Sequence, residues 1–273
     1  MNDSSGGDPS GRTRRRLLAA GASATALGLA GCLGAREGPV PEPTVTNERI
    51  DDGWRLLDES ESAVFERTYG PATVRALERT LIYEYVSVAE ALDETFDASG
   101  SPVVFFATRI DLRPALDGLP AGVGRGRLMA EVETAAVDAF RARLRSAGTD
   151  GLEEVDEGTT TVVGGHTATA WRFAGEFALD GEAPLSDGST TAVDEAVGVT
   201  ARLAVWHDGT DVLVAGGAFP SEAVTAVIGD AVPGSLDGET VVESIADAEA
   251  AAALATDPAA FDEEVSVLIV SVE

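Results

Sequence analysis

The spacing of apolar and polar positions divides the chain into stretches of different period. Residues 54–58, 63–69 and 72–85 alternate as strands do, with turn-forming residues at 59–62 and at Gly70-Pro71 between them. In the third stretch Leu77, Leu81, Tyr83 and Tyr85 share one parity, which predicts that they face one side of a sheet. The unbroken apolar run at 103–110 predicts a strand buried on both faces. Over 127–147 the period changes. Leu128, Val132, Ala135, Ala136, Ala139, Phe140 and Leu144 recur at three- and four-residue intervals, the stripe of a helix that ends at Gly148.

Two hairpins are predicted next. Residues 159–163 and 166–179 flank Gly164-Gly165, and residues 197–206 and 211–219 flank a turn centred on Asp208-Gly209. A two-residue turn at Asp208-Gly209 pairs Val205 with Val212 and Leu203 with Val214, and puts Trp206, Leu213, Ala215 and Phe219 on the opposite face. Both faces are therefore apolar, and each needs a cover. The helix at 127–147 supplies one, and 239–254 reads as a second helix. Residues 265–272 alternate loosely and read as a terminal strand, while 180–195, rich in Gly, Ser, Thr and acids, reads as an exposed loop. Pro39, Pro41 and Pro43 make 32–52 read as an extended, solvated tether. The whole predicts an α+β domain at 53–273, built on an antiparallel β-sheet of about six to eight strands covered by helices on both faces.

Residues 1–31 carry a different signal. Thr13-Arg14-Arg15-Arg16-Leu17-Leu18 opens a weakly apolar stretch that closes at Leu29-Ala30-Gly31-Cys32. A twin arginine, Arg14 and Arg15, preceded by Thr and followed by two leucines resembles the signal of the twin-arginine pathway, which exports folded proteins. The apolar part, Leu17 to Ala30, has 14 residues. That is too short to span about 30 Å of hydrocarbon at a rise of about 1.5 Å per residue. Leu29-Ala30-Gly31-Cys32 resembles a lipobox, in which small residues admit a peptidase to the bond before cysteine and the thiol receives a lipid. Cys32 is the single cysteine, so a disulfide framework is excluded and lipidation gives the isolated thiol a role. The resemblance implies a chain fastened to the extracellular face of the cell membrane through Cys32.

Charge narrows the function classes. The 273 residues hold 47 Asp and Glu against 19 positive charges, a net −28, and every positive charge is arginine. A nucleic-acid groove needs a basic stripe to release counterions, which this balance does not provide, so no nucleic-acid partner is expected. Self-repulsion of this size is screened in about 1 M salt, where the Debye length is roughly 3 Å. The composition therefore suits a haloarchaeal protein; an acidic secreted protein from a high-GC bacterium is the alternative, and a requirement for molar salt separates the two.

Candidate chemistry is sparse. Gly122-Val123-Gly124-Arg125-Gly126-Arg127 leads into a helix start, but it lacks dinucleotide-binding spacing and no Walker lysine follows. Arg125, Arg127, Arg141, Arg143 and Arg145 are the only basic concentration after the export signal. They read as complement to the helix dipole and surface pairing, or as a weak contact for an anionic headgroup or an acidic partner. His166 and His207 each sit beside a hairpin turn without metal-ligand spacing. No G-x-S-x-G is present, and no pattern calls for a cofactor, a metal or a catalytic residue. Trp171, Phe173 and Phe177 share a core-facing parity, and Trp206 shares its parity with Arg202, which suits stacking with that arginine under a helix, the alternative being a ligand surface.

The twin arginine, the lipobox, the lysine-free acidic composition, Gly165, Ala168 and Phe173 in their spacing, and the hairpin at Asp208 together resemble a haloarchaeal twin-arginine-exported lipoprotein family of unknown function. The order of elements is also similar to the PsbP and Mog1 type of α/β sandwich, whose members are mostly binding or assembly factors. What the resemblance implies is a membrane-anchored, non-enzymatic binding or accessory module with an envelope protein or a small ligand as partner. A cell-surface hydrolase using carboxylate or histidine chemistry is the alternative, and a purely structural envelope component a third. That family has no established functional residues to carry over.

Overall fold

The computed structural model describes residues 38–45, 47–69, 72–96, 100–119, 124–184, 190–231, 242 and 246–273. The export signal expected at 1–31 with Arg14 and Arg15, Cys32, and the expected tether as far as residue 37 lie outside the described residues. So do Gly122 and Val123 of the glycine-rich loop.

Seven strands form one antiparallel sheet: β1 (Trp54–Tyr69), β2 (Ala72–Tyr85), β3 (Val104–Arg113), β4 (Thr149–Thr161), β5 (Thr167–Pro184), β6 (Thr190–His207) and β7 (Val212–Pro220). Their order is β1-β2-β3-β7-β6-β5-β4, so two meanders meet where β3 pairs with β7. Six α-helices accompany the sheet among the described residues: α1 (Asn47–Ile50), α2 (Val86–Phe96), α3 (Arg125–Ser146), α4 (Val224–Ala231), α5 (Ala248–Leu254) and α6 (Pro258–Ser271). The fold is mixed α/β, with a strand count inside the expected range. Helix α3 carries the chain from β3 at the centre of the sheet to β4 at its edge.

The central strands explain the continuous apolar runs. Every residue of β7 is buried, and β3 is buried at all but Arg109 and Arg113. Both edge strands are mostly exposed, acidic and interrupted by register shifts. Charges and bulges on an edge oppose pairing with another chain. This corrects the reading of 59–62 as a turn: Glu59-Ser60-Glu61-Ser62 is polar because β1 is an edge strand, and it continues in register with Leu81, Thr80, Arg79 and Glu78.

Phe140 of α3 packs between Phe106 of β3 and Phe173 of β5, with ring centroids 5.3 Å away in each case. Leu128, Val132, Ala136, Phe140 and Leu144 are the buried stripe of α3, as their spacing requires. On β7, Gly216 lies against Phe106 and Gly217 against Val265 of α6. A Cβ on Gly216 would meet the Arg202 carbonyl at 2.7 Å, and one on Gly217 the Val104 carbonyl at 2.7 Å, so close packing requires glycine at both.

Several local expectations are overturned. Residues 265–272 belong to helix α6, not to a strand. Asp257 caps the helix by accepting from the Ala259 N–H at 2.9 Å, and Pro258 stands at its first turn. Buried Phe261, Val265, Leu268 and Ile269 then repeat at helical spacing, and packing outweighs the β-branched residues that suggested a strand. The loop expected at 180–195 is largely strand: β5 runs to Pro184 and β6 begins at Thr190, with Leu179, Val193 and Val197 buried. Residues 185–189 lie outside the described residues. Helix α2 carries no strand or turn signal and was recoverable from buried Val88, Ala91, Leu92 and Phe96. Of the helix expected at 239–254, Ala248–Leu254 is observed, and 239–241 and 243–245 lie outside the described residues.

The hairpin at Asp208 is wider than a two-residue turn. His207 pairs with Val212, Val205 with Val214 and Leu203 with Gly216, two residues from the expected register. The Asp208 carboxylate accepts from the N–H groups of Thr210 at 2.8 Å and Asp211 at 2.9 Å, which holds a four-residue loop. A shift of two keeps every side chain on its expected face.

The tether reading fails from residue 38 onward. Val40 and Val45 are buried, the Arg113 Nη2 donates to the Gly38 carbonyl at 2.6 Å, and Thr44 and Glu273 exchange backbone hydrogen bonds of 2.6 and 2.8 Å. Alternating Pro and apolar residues here form a strap on the domain, because Val40 and Val45 bury apolar surface that a solvated linker would leave in water.

Candidate functional site

The five arginines of α3 do not assemble into one site. Arg125 to Arg145 spans 20 residues, about 30 Å of helix. Arg143 donates to Glu78 at 3.0 Å and to the buried Thr80 hydroxyl at 3.1 Å, and its guanidinium lies 5.5 Å from the Phe106 ring centre. Arg141 lies 5.2 Å from the Phe173 ring centre. These two extend the aromatic row on either side of Phe140. Arg145 stands 3.7 Å from Asp150, Arg125 donates to the Asp117 carbonyl at 3.4 Å, and Arg127 donates to Glu131 at 3.3 Å. The helical period turns Arg141 and Arg143 toward the sheet and leaves Arg125, Arg127 and Arg145 as three separated exposed side chains, two of them paired with acids as the surface-pairing reading has it.

Near the start of α3, Tyr69 at the end of β1 donates to the Glu131 carboxylate at 2.6 Å, with Arg127 6.0 Å from the tyrosine ring centre. Burial, then the bond to Glu131 and its charge, pushes the Tyr69 hydroxyl up to about 12. The same hydrogen bond, aided by Arg127, holds Glu131 below the usual carboxylate range. A raised tyrosine contributes stability that is fully present below its unfolded value of 10.0 and lost as pH rises through about 12. A lowered carboxylate contributes stability that is present above its unfolded value of 4.5 and lost as pH falls. Tyr69→Phe is therefore expected to lower Tm most between those limits, with the gap to the parent protein narrowing at both ends. Thermal melts across pH measure it; a gap of constant size would contradict the pairing.

At the turn end of the sheet, burial alone would raise Asp208, but the N–H groups of Asp211 and Thr210, with Arg109 and His166, hold it below its ordinary value. His166 is part-exposed and His207 exposed. Among the described residues no group of three His, Cys, Asp or Glu side chains is placed to hold a metal.

The site with most chemical character lies between α6 and the β4–β5–β6 side of the sheet. Registered pairs place Asp156, Arg172, Arg202 and Gly217 in one row across four strands, and Gly158, Ala170, Ala204, Ala215 and Ala107 in the next row across five. Small side chains in the second row leave a trough, over which α6 places Ser266, Ile269 and Val270. The result is a cleft of about 290 Å³ with the two arginines on its rim. Arg202 is bound to α6: its Nη2 donates to Asp262 at 2.8 Å and its Nε lies 2.7 Å from the other carboxylate oxygen. The pair is held by one charge-assisted hydrogen bond and a close contact of the opposite charges. Trp206 is buried, and Arg202 is paired with Asp262 rather than stacked on it. Trp171, Phe173 and Phe177 are buried, in agreement with their parity.

Sequence reading missed Asp156, Arg172, Asp262 and Ser266 as a group. Asp156 meets Arg172 only after a register shift between Glu154 and Asp156, and Asp262 comes from a stretch just before residues read as a strand. The even parity of Arg172 and Arg202 within flanking apolar strands was the available signal.

Residues 42–273 match a family described as a domain of unknown function, DUF6517. The chain belongs to that family. No curated protein and no solved structure matches it. The DUF6517 match begins within the strap, next to Pro43, Thr44 and Val45. No helix among the described residues is long and apolar enough to cross a membrane.

Proposed function

We propose that the protein is a membrane-anchored extracytoplasmic lipoprotein acting as a non-enzymatic binding or accessory module. The observation that carries the reading is the sequence Leu29-Ala30-Gly31-Cys32 closing a short apolar segment that opens on Arg14-Arg15. A twin-arginine route suits a domain that gains its stability from one large sheet before export. The lysine-free acidic composition favours a haloarchaeal envelope, where about 1 M salt or more screens the −28 charge. Contact pairs such as Arg202 with Asp262, at 2.7 Å, are shorter than the Debye length there and survive.

Support from the fold is of two kinds. Val265 of α6 and Phe140 of α3 meet residues of opposite parity on the sheet, in keeping with helices over both faces and a sandwich of the PsbP and Mog1 type. The cleft beside α6 then offers a small binding site on a rigid frame. Capture of the chain from detergent-solubilised membranes at molar salt tests the reading. A partner protein or a co-purifying small molecule in stoichiometric amount is expected, without turnover of ester or glycoside probes. Turnover that is lost in Asp156→Asn would replace it with the hydrolase reading.

A further inference from the structure

We propose that the cleft between α6 and strands β4–β6 binds a small monocarboxylate with a short apolar body, its carboxylate held by the Arg172 guanidinium. The proposal rests on the binding-module reading and names the ligand class. Arg172 and Arg202 face each other directly across β5 and β6. Like charges in that position repel, so each requires a counter-charge. Arg202 has one in Asp262, which accepts from its Nη2 at 2.8 Å and comes within 2.7 Å of its Nε. Arg172 has only Asp156, at 3.7 Å, too far for a hydrogen bond, and its side chain makes no other hydrogen bond or ion pair among the described residues. In a chain with 47 acidic residues, this guanidinium stands on the rim of a cleft with its donor fork open.

The rest of the cleft fits a carboxylate with a body rather than a bare ion. Ala170 and Ala204 form an apolar floor and Ile269 and Val270 an apolar wall. The hydroxyls of Thr160 and Ser266 make no side-chain hydrogen bond among the described residues and stand at the same cleft. A volume of about 290 Å³ admits a chain of a few methylenes and excludes large ligands. Inorganic phosphate would satisfy the arginine but leave the apolar wall unused.

Isothermal titration of the full-length chain at molar salt, with hexanoate, hexylamine and inorganic phosphate as probes, tests the proposal. Hexanoate is expected to bind, while hexylamine and phosphate give no saturable heat. Arg172→Gln, an exposed position, should weaken hexanoate by about ten- to a hundredfold with an unchanged melting curve. Asp156→Asn should retain or strengthen binding, because it removes the competing carboxylate. Absence of hexanoate binding, undiminished binding by Arg172→Gln, loss of binding in Asp156→Asn, or phosphate binding as tight as hexanoate would each overturn it. If hexanoate fails while membrane capture yields a stoichiometric partner protein, this ligand class falls and the binding reading stands.

Discussion

Phe140→Ala is expected to cost about 3–5 kcal/mol, a large share of a stability that is typically about 5–15 kcal/mol. The ring is fully buried at the middle of α3 and touches Phe106 on one side and Phe173 on the other, both at 5.3 Å between centroids. Truncation removes apolar burial and opens a cavity that neither a seven-stranded sheet nor a 22-residue helix can close by local adjustment. It also loosens Arg141 and Arg143, whose guanidiniums cover the two neighbouring rings. Because α3 joins the β1–β2–β3 meander to β4, weakening it weakens the join between the two halves. At the size of this domain the loss corresponds to a fall in Tm of roughly 6–20 °C. Thermal and denaturant unfolding at molar salt measure it, with Phe140→Leu as the milder comparison. A loss below about 1 kcal/mol would show that α3 is not seated on the sheet through this row.

Much of the sheet was legible because burial wrote it into the sequence. The run at 103–110 and the hairpin around Asp208 follow from strands apolar on both faces, and the hairpin around Gly164 from the alternation in β5 and the glycine turn before it. The buried stripe of α3 was equally clear, residue by residue. Edges were harder, since an edge strand that is wet on both sides has the composition of a loop; this split β1 in two and hid the ends of β5 and β6. Helix α6 was hidden for the opposite reason, as its last turns are rich in valine and isoleucine and only the row of small residues beneath it makes a helix the better packed choice. The cleft depended on both. Its charged row exists only once the register across β4, β5 and β6 is known, and its wall only once α6 is a helix. Parity did better than register: the hairpin at Asp208 is two residues wider than its turn signal suggests, yet every face assignment around it holds.

The second large effect concerns where the protein resides. The weakly apolar segment from Leu17 to Ala30 has 14 residues, too few to span a bilayer, and no helix among the described residues is long and apolar enough to do so. On the proposed lipoprotein reading, retention at the membrane comes from lipid on Cys32, each buried methylene contributing about 0.8 kcal/mol and two chains making the attachment stable.

On that reading, Cys32→Ser removes the thiol that receives the lipid. Fractionation at native salt, with the mass of the mature N-terminal peptide, tests the account most directly. The parent protein should stay with washed membranes until detergent is added and should begin at a lipid-modified Cys32; the serine variant should leave for the medium or persist with its leader attached. Equal membrane retention and equal gel mobility of the two proteins would contradict the account.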